Sequence, residues 1–175
     1  MKDETKPSKP LKRRVLGWVL EIILLLIAVY LLHLWQTRDT AAGEAPLLSG
    51  QTLSEEPFNL QDLHGKPVFV HFWATWCPVC QLESGTINDL VGDYPLITVA
   101  MQSGSDTTIQ AYLDENELSF PVISDPDGLL ASRWGVTGVP ATFIIDAEGN
   151  IKFTEVGYST SLGLRARIWW LENGL

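Results

Sequence analysis

The stretch that decides the fold is Pro67-Val68-Phe69-Val70-His71-Phe72-Trp73-Ala74-Thr75-Trp76-Cys77-Pro78-Val79-Cys80. Its first seven residues are apolar at odd and even positions alike, apart from His71. That is the pattern of a strand covered on both faces. Gly65-Lys66 ahead of it marks a turn. Beyond Cys80, the residues Leu82, Ile87, Leu90 and Val91 are spaced for a helix whose apolar side meets a sheet. Pro78 then falls in the first turn, where its missing N–H is no loss. The stretch predicts strand, turn and helix, with the only two cysteines of the chain at the helix start.

A helix start leaves backbone N–H groups unpaired and carries partial positive charge. Both favour a thiolate, the attacking form of cysteine. Cys77 is therefore expected at the helix tip, the more exposed and more acidic of the two. Cys80, one turn on, is placed to attack a mixed disulfide formed on Cys77. Other readings of the pair are weaker. As a staple, a loop of about four residues removes only about 2 kcal/mol of chain entropy, against about 3 for fifteen residues. A zinc site needs two more ligands, and the domain offers only His64 and His71. Copper handling by a cysteine pair with a distant histidine lacks any histidine after His71.

Outward from this segment, residues 96–101 read as a second buried strand, and 105–118 as a helix capped near Asp106. Residues 120–123 read as a short strand ended by the turn Asp125-Pro126-Asp127-Gly128, with a short helix to Trp134. Residues 141–146 and 151–156 flank a turn and form a hairpin. A final helix runs from about Ser161 to Glu172. This order implies an α/β sandwich with parallel strand pairs in its first half.

Residues 70–80 resemble the active-site segment of thioredoxin, and Gly138-Val139-Pro140-Ala141-Thr142 resembles the loop that carries a cis-proline facing the redox pair in thioredoxin-like proteins. The helix and strand over about 105–123 are similar to the central insertion of the TlpA/ResA-like branch of membrane-anchored bacterial thioredoxins. The Cys-Pro-Val-Cys pair, the anchor and the tail 162–170 are most similar to the suppressor-of-copper-sensitivity protein D group. The likeness covers about 50–175. It implies a thioredoxin-like fold and a thiol–disulfide oxidoreductase, with Cys77 as nucleophile and Cys80 as resolving thiol. It further implies Pro140 as the cis-proline, Val139 as a backbone contact for extended substrate, and Trp76 as cover for the pair. No cofactor is expected beyond the Cys77–Cys80 disulfide, and no metal. Protein dithiols or disulfides are the expected partners, with a transmembrane electron donor and the reductase direction.

One position departs from thioredoxin. Six residues before the first cysteine thioredoxin has a buried aspartate that moves the second thiol's proton, and this chain has His71. An imidazole can accept that proton or sit as a satisfied core residue. Glu83 is another candidate, read here as an exposed helix acid. Peroxiredoxins share the architecture, but their motif has Thr or Ser three before the reactive cysteine, where this chain has Ala74. From a different class, a redox-silent metal-binding or chaperone-type module on the same fold is the alternative.

Residues 15–35 form an apolar run interrupted only by Glu21 and His33. As a helix it spans about 31 Å, close to the roughly 30 Å of a bilayer's hydrocarbon. It is longer than the 7–15 residues usual in a signal peptide, so an uncleaved anchor is expected. Trp18, Tyr30 and Trp35 suit the headgroup zones. Lys12, Arg13 and Arg14 precede the run, which puts residues 1–14 in the cytoplasm and residues 36–175 outside it; the resemblance implies the periplasmic side of a bacterial inner membrane. Residues 36–50, small and polar, read as a linker to a domain over 51–175. Residues 38–175 carry 18 acids against 6 bases, which excludes nucleic acid as a partner.

Overall fold

The computed structural model describes residues 11–173. They divide into two compact units, one ending at Arg38 and one beginning at Asp39. The first is the helix α1 (Leu11–Thr37), whose segment Gly17–Thr37 has mean hydropathy 2.3, long and apolar enough to cross a membrane. The expected basic flank and His33 lie where side chains are outside the described residues.

The second unit has the thioredoxin-like α/β fold. Its main sheet contains β1 (Gly43–Glu44), β4 (Val68–Trp73), β5 (Leu96–Met101), β6 (Val122–Asp125), β7 (Ala141–Ile145) and β8 (Asn150–Val156), in the order β1-β8-β7-β4-β5-β6. β4, β5 and β6 run parallel, while β7 and β8 form the antiparallel hairpin. A separate hairpin pairs β2 (Ser49–Gln51) with β3 (Pro57–Asn59). The helices are α2 (Pro78–Asn88), α3 (Asp106–Glu115), α4 (Leu129–Arg133) and α5 (Ser161–Glu172).

All six residues of β4 are buried, as its two-sided apolarity requires. Phe69 and Trp73 face a core shared with Cys77, Cys80 and Ile87 from α2 and its cap, Ile109 from α3, and Leu164 and Ile168 from α5. Val68, Val70 and Phe72 face the opposite core, built with Trp134, Val136 and Phe143. By strand alternation His71 lies on the first face, the side of the cysteines.

Several boundaries differ from the sequence reading. α2 ends at Asn88 and α3 at Glu115, three residues short of expectation in each case, and β6 lies two residues later than expected. The larger correction concerns 36–50. From Asp39 on, this stretch belongs to the folded unit. Ala41 N–H donates to Trp134 O at 2.9 Å, Glu44 pairs with Asn150, and Leu48 is fully buried in the second core. Gly135, at φ +66°, is required here because a Cβ would collide with the Asp39 carbonyl. Main-chain pairing of this kind needs no side-chain pattern, so a small, polar composition hides it.

Candidate active site

Cys77 is the N-cap of α2, with extended backbone (φ −90°, ψ 112°). Its Sγ accepts the Cys80 N–H at 3.2 Å, an otherwise orphaned helix-terminal donor. Pro78 starts the helix without needing a partner for itself. One turn later Cys80 is joined to Cys77 in a disulfide, with Cα atoms 5.2 Å apart.

Across from the pair is the loop into β7. Its Val139-Pro140 bond is cis, and the Cys77 Sγ lies 3.4 Å from Val139 O. Pro140 O accepts the Gly157 N–H at 2.9 Å, which ties the loop to the end of β8. The structure thus brings Cys77, Cys80, Val139 and Pro140 together. Both cysteines are nearly buried, Cys77 4% accessible and Cys80 2%, so Cys77 is the more exposed of the two by only a narrow margin. The surface beside the pair is open, with Trp76 and Val79 exposed. The Trp76 indole is held away toward the insertion, its Nε1–H donating to Gln102 O at 3.0 Å. Thr75 N–H donates to Ser103 Oγ at 3.1 Å, a second tie between that turn and the loop before Cys77.

His71 is buried, and its Nδ1 lies 2.9 Å from Thr142 Oγ1 on the neighbouring strand. Burial pushes its imidazole down to about 3, so it is neutral across the physiological range.

Glu83 overturns its reading as an exposed acid. It has no accessible surface, because Cys80, Glu83 and Ile87 share the buried side of α2. Its Oε1 accepts the Ser159 N–H at 2.8 Å, and its Oε2 has no partner. Burial pushes the carboxyl up to about 7, against the opposing pull of the Ser159 hydrogen bond. The spacing i, i+3, i+7 from Cys80 is the signal that would have placed it.

Among the described residues no cluster of three or more His, Cys, Asp or Glu is arranged to hold a metal. An open cleft of about 840 Å³ is lined by Lys66, Pro67, Tyr94 and Asp146 at the opposite end of β4 from the cysteines.

With this geometry in place, the model of the AhpC/TSA family matches residues 41–154. The chain belongs to the AhpC/TSA family. It is 34% identical to the thiol:disulfide interchange protein DsbE of Escherichia coli K12 over 91% of both chains. It is 31% identical to a thioredoxin-like protein of Haemophilus influenzae over 77% of this chain and 81% of the relative. Among solved structures, a secreted Mycobacterium tuberculosis disulfide oxidoreductase superposes with TM-score 0.62 at 25% identity, covering 71% of this chain and 96% of that one. This AhpC/TSA member is a protein-disulfide oxidoreductase by the company of these relatives and by its own cysteine pair at disulfide distance.

Proposed function

We propose that the protein reduces disulfides of other proteins on the periplasmic side of a bacterial inner membrane, held there by α1. The single observation that carries the catalytic part is Cys77 Sγ at the N-terminus of α2, accepting the Cys80 N–H. In the reduced state this donor and the helix charge hold the Cys77 thiolate. That thiolate attacks one sulfur of a substrate disulfide; a Cys77–substrate bond forms and the other substrate sulfur leaves as a thiolate. Cys80, deprotonated, then attacks the Cys77 sulfur, the second substrate thiolate leaves, and Cys77–Cys80 is oxidised. Two electrons pass to the substrate, and two protons end on its thiols.

Cys80 is buried, so its proton needs an internal acceptor. Glu83 serves this reading better than His71. A carboxylate near 7 accepts and returns a proton at neutral pH, whereas an imidazole near 3 holds one poorly. His71 then acts as a neutral core residue that joins β4 to β7 through Thr142. Val139 offers its backbone to the incoming chain beside Cys77, with Pro140 shaping that loop and exposed Trp76 preceding the nucleophile.

The reductase direction and the transmembrane donor that regenerates the dithiol are supported by the likeness to the TlpA/ResA-like branch and the suppressor-of-copper-sensitivity protein D group. The cytoplasmic N-terminus is supported by the basic residues before the span. Trapping tests the site assignment. A Cys80→Ser variant expressed in its native membrane accumulates mixed disulfides through Cys77. Equal trapping by Cys77→Ser would reverse the two roles.

A further inference from the structure

We infer that Ser103 and Gln81 are positioning residues for the redox pair: from two sides they pin the backbone of Thr75, and so hold Cys77 where its sulfur caps α2. This rests on the redox reading of Cys77 and adds to it the side chains that set the nucleophile's geometry.

Thr75 and Trp76 are the middle of a turn closed by Cys77 N–H, which donates to Ala74 O at 3.2 Å. That turn decides how the chain enters the helix at Cys77. The closing bond leaves the Thr75 N–H and C=O without partners, and such groups need them when partly buried. Thr75 N–H donates to Ser103 Oγ at 3.1 Å, and Thr75 O accepts from Gln81 Nε2 at 3.1 Å. Two side chains from different elements therefore meet on one residue, two positions before the nucleophile.

Each of the two is itself fixed. Ser103 is buried, and its hydroxyl proton goes to Met101 O at 3.0 Å, which leaves a lone pair for Thr75. Gln81 is in the first turn of α2, where its N–H donates to Cys77 O at 3.1 Å while its side chain reaches back past Cys77. Ser103 thus ties the turn to the loop after β5, and Gln81 ties it to α2. The loop after β5 is held in its turn. Gln102 has φ +48°, a left-handed conformation that costs energy in a residue other than glycine and persists only where the surroundings impose it. Its N–H donates to Asp125 O at 2.9 Å, and its carbonyl accepts the Trp76 indole N–H. Strained backbone of this kind clusters at active sites.

None of these bonds uses a sulfur, so none is lost when the Cys77–Cys80 bond opens. They hold the turn in the reduced and mixed-disulfide states, when the Cys77 thiolate depends on the Cys80 N–H and the helix charge. A turn released on either side lets the Cys77 sulfur move off the helix tip and lose part of that stabilisation.

The test uses the reduced full chain in detergent micelles, alkylated with iodoacetamide from pH 4 to 9, with each cysteine resolved by mass. The variants Ser103→Ala and Gln81→Met change no charge, and the buried titratable groups of β4 and α2, His71 and Glu83, stay in place. Gln81 is exposed, so its variant folds whatever the cost at Ser103. In the wild type the Cys77 midpoint lies below the roughly 8.5 of a free thiol. Each variant raises that midpoint, and the double variant raises it by about one pH unit, a lost hydrogen bond's worth. Ser103→Thr keeps the hydroxyl and the wild-type midpoint. A midpoint that stays put in either single variant, with or without a loss of stability in urea, overturns the inference. So does Ser103→Thr shifting as far as Ser103→Ala. A wild type whose Cys77 titrates as a free thiol, or whose Cys80 reacts first, overturns the redox reading itself.

Discussion

Replacing Glu83 by Gln is expected to stabilise the folded domain, increasingly so as pH rises. In the native state burial holds the carboxyl at about 7, against 4.5 when free. Below 4.5 both states carry the proton and the acid has no effect. Between 4.5 and about 7 the unfolded chain has released its proton and the native chain has not. Stability therefore falls with rising pH, by about 1.4 kcal/mol per pH unit, and levels off above the native value. The full loss is about 3 kcal/mol. The amide keeps the acceptor for Ser159 N–H and leaves one polar group unpartnered, as the protonated acid does at Oε2. The variant should match wild type near pH 4 and exceed it by about 3 kcal/mol at pH 8. Urea denaturation of the full chain in micelles, followed by the fluorescence of buried Trp73 and Trp134, measures both curves. A constant offset from pH 4 to 9 would refute the buried, raised carboxyl.

The opposite limb belongs to His71. Its imidazole is held at about 3 in the native state against 6.5 when free, so its stabilising effect is full above 6.5 and is lost as pH falls toward 3. Proton-coupled NMR should show His71 ring signals fixed from pH 5 to 8; a midpoint inside that range would contradict the burial argument. Leu48→Ala should cost about 2–5 kcal/mol, since it empties a fully buried site in a stretch that composition alone reads as a linker. A loss under about 0.5 kcal/mol in the same urea assay would return that stretch to linker status.

The redox segment was legible because three independent signals coincide in it. β4 is apolar on both faces, Pro78 starts a helix, and the cysteines sit at one helical turn's spacing. The Val139-Pro140 loop was legible through its likeness to thioredoxin. What stayed hidden was set by tertiary context. Glu83 has the composition of a surface acid and became buried only because α5 and the 157–160 loop pack over that flank of α2. The start of the domain was missed because β1 and Ala41 attach through main-chain hydrogen bonds, which leave no hydrophobic period to read. The near-burial of Cys77 was not legible either, as the Val139 carbonyl against its sulfur comes from 62 residues further along the chain.

The central claim is that Cys77 and Cys80 form a reversible two-electron couple. Equilibrating the full chain in glutathione or dithiothreitol buffers of graded potential, with mass-resolved alkylation of each cysteine, measures it directly. Both thiols are predicted to appear and disappear together along one two-electron curve, at a potential low enough to reduce substrate disulfides. Alkylation that never reaches both cysteines, or titrates them independently, would contradict the account.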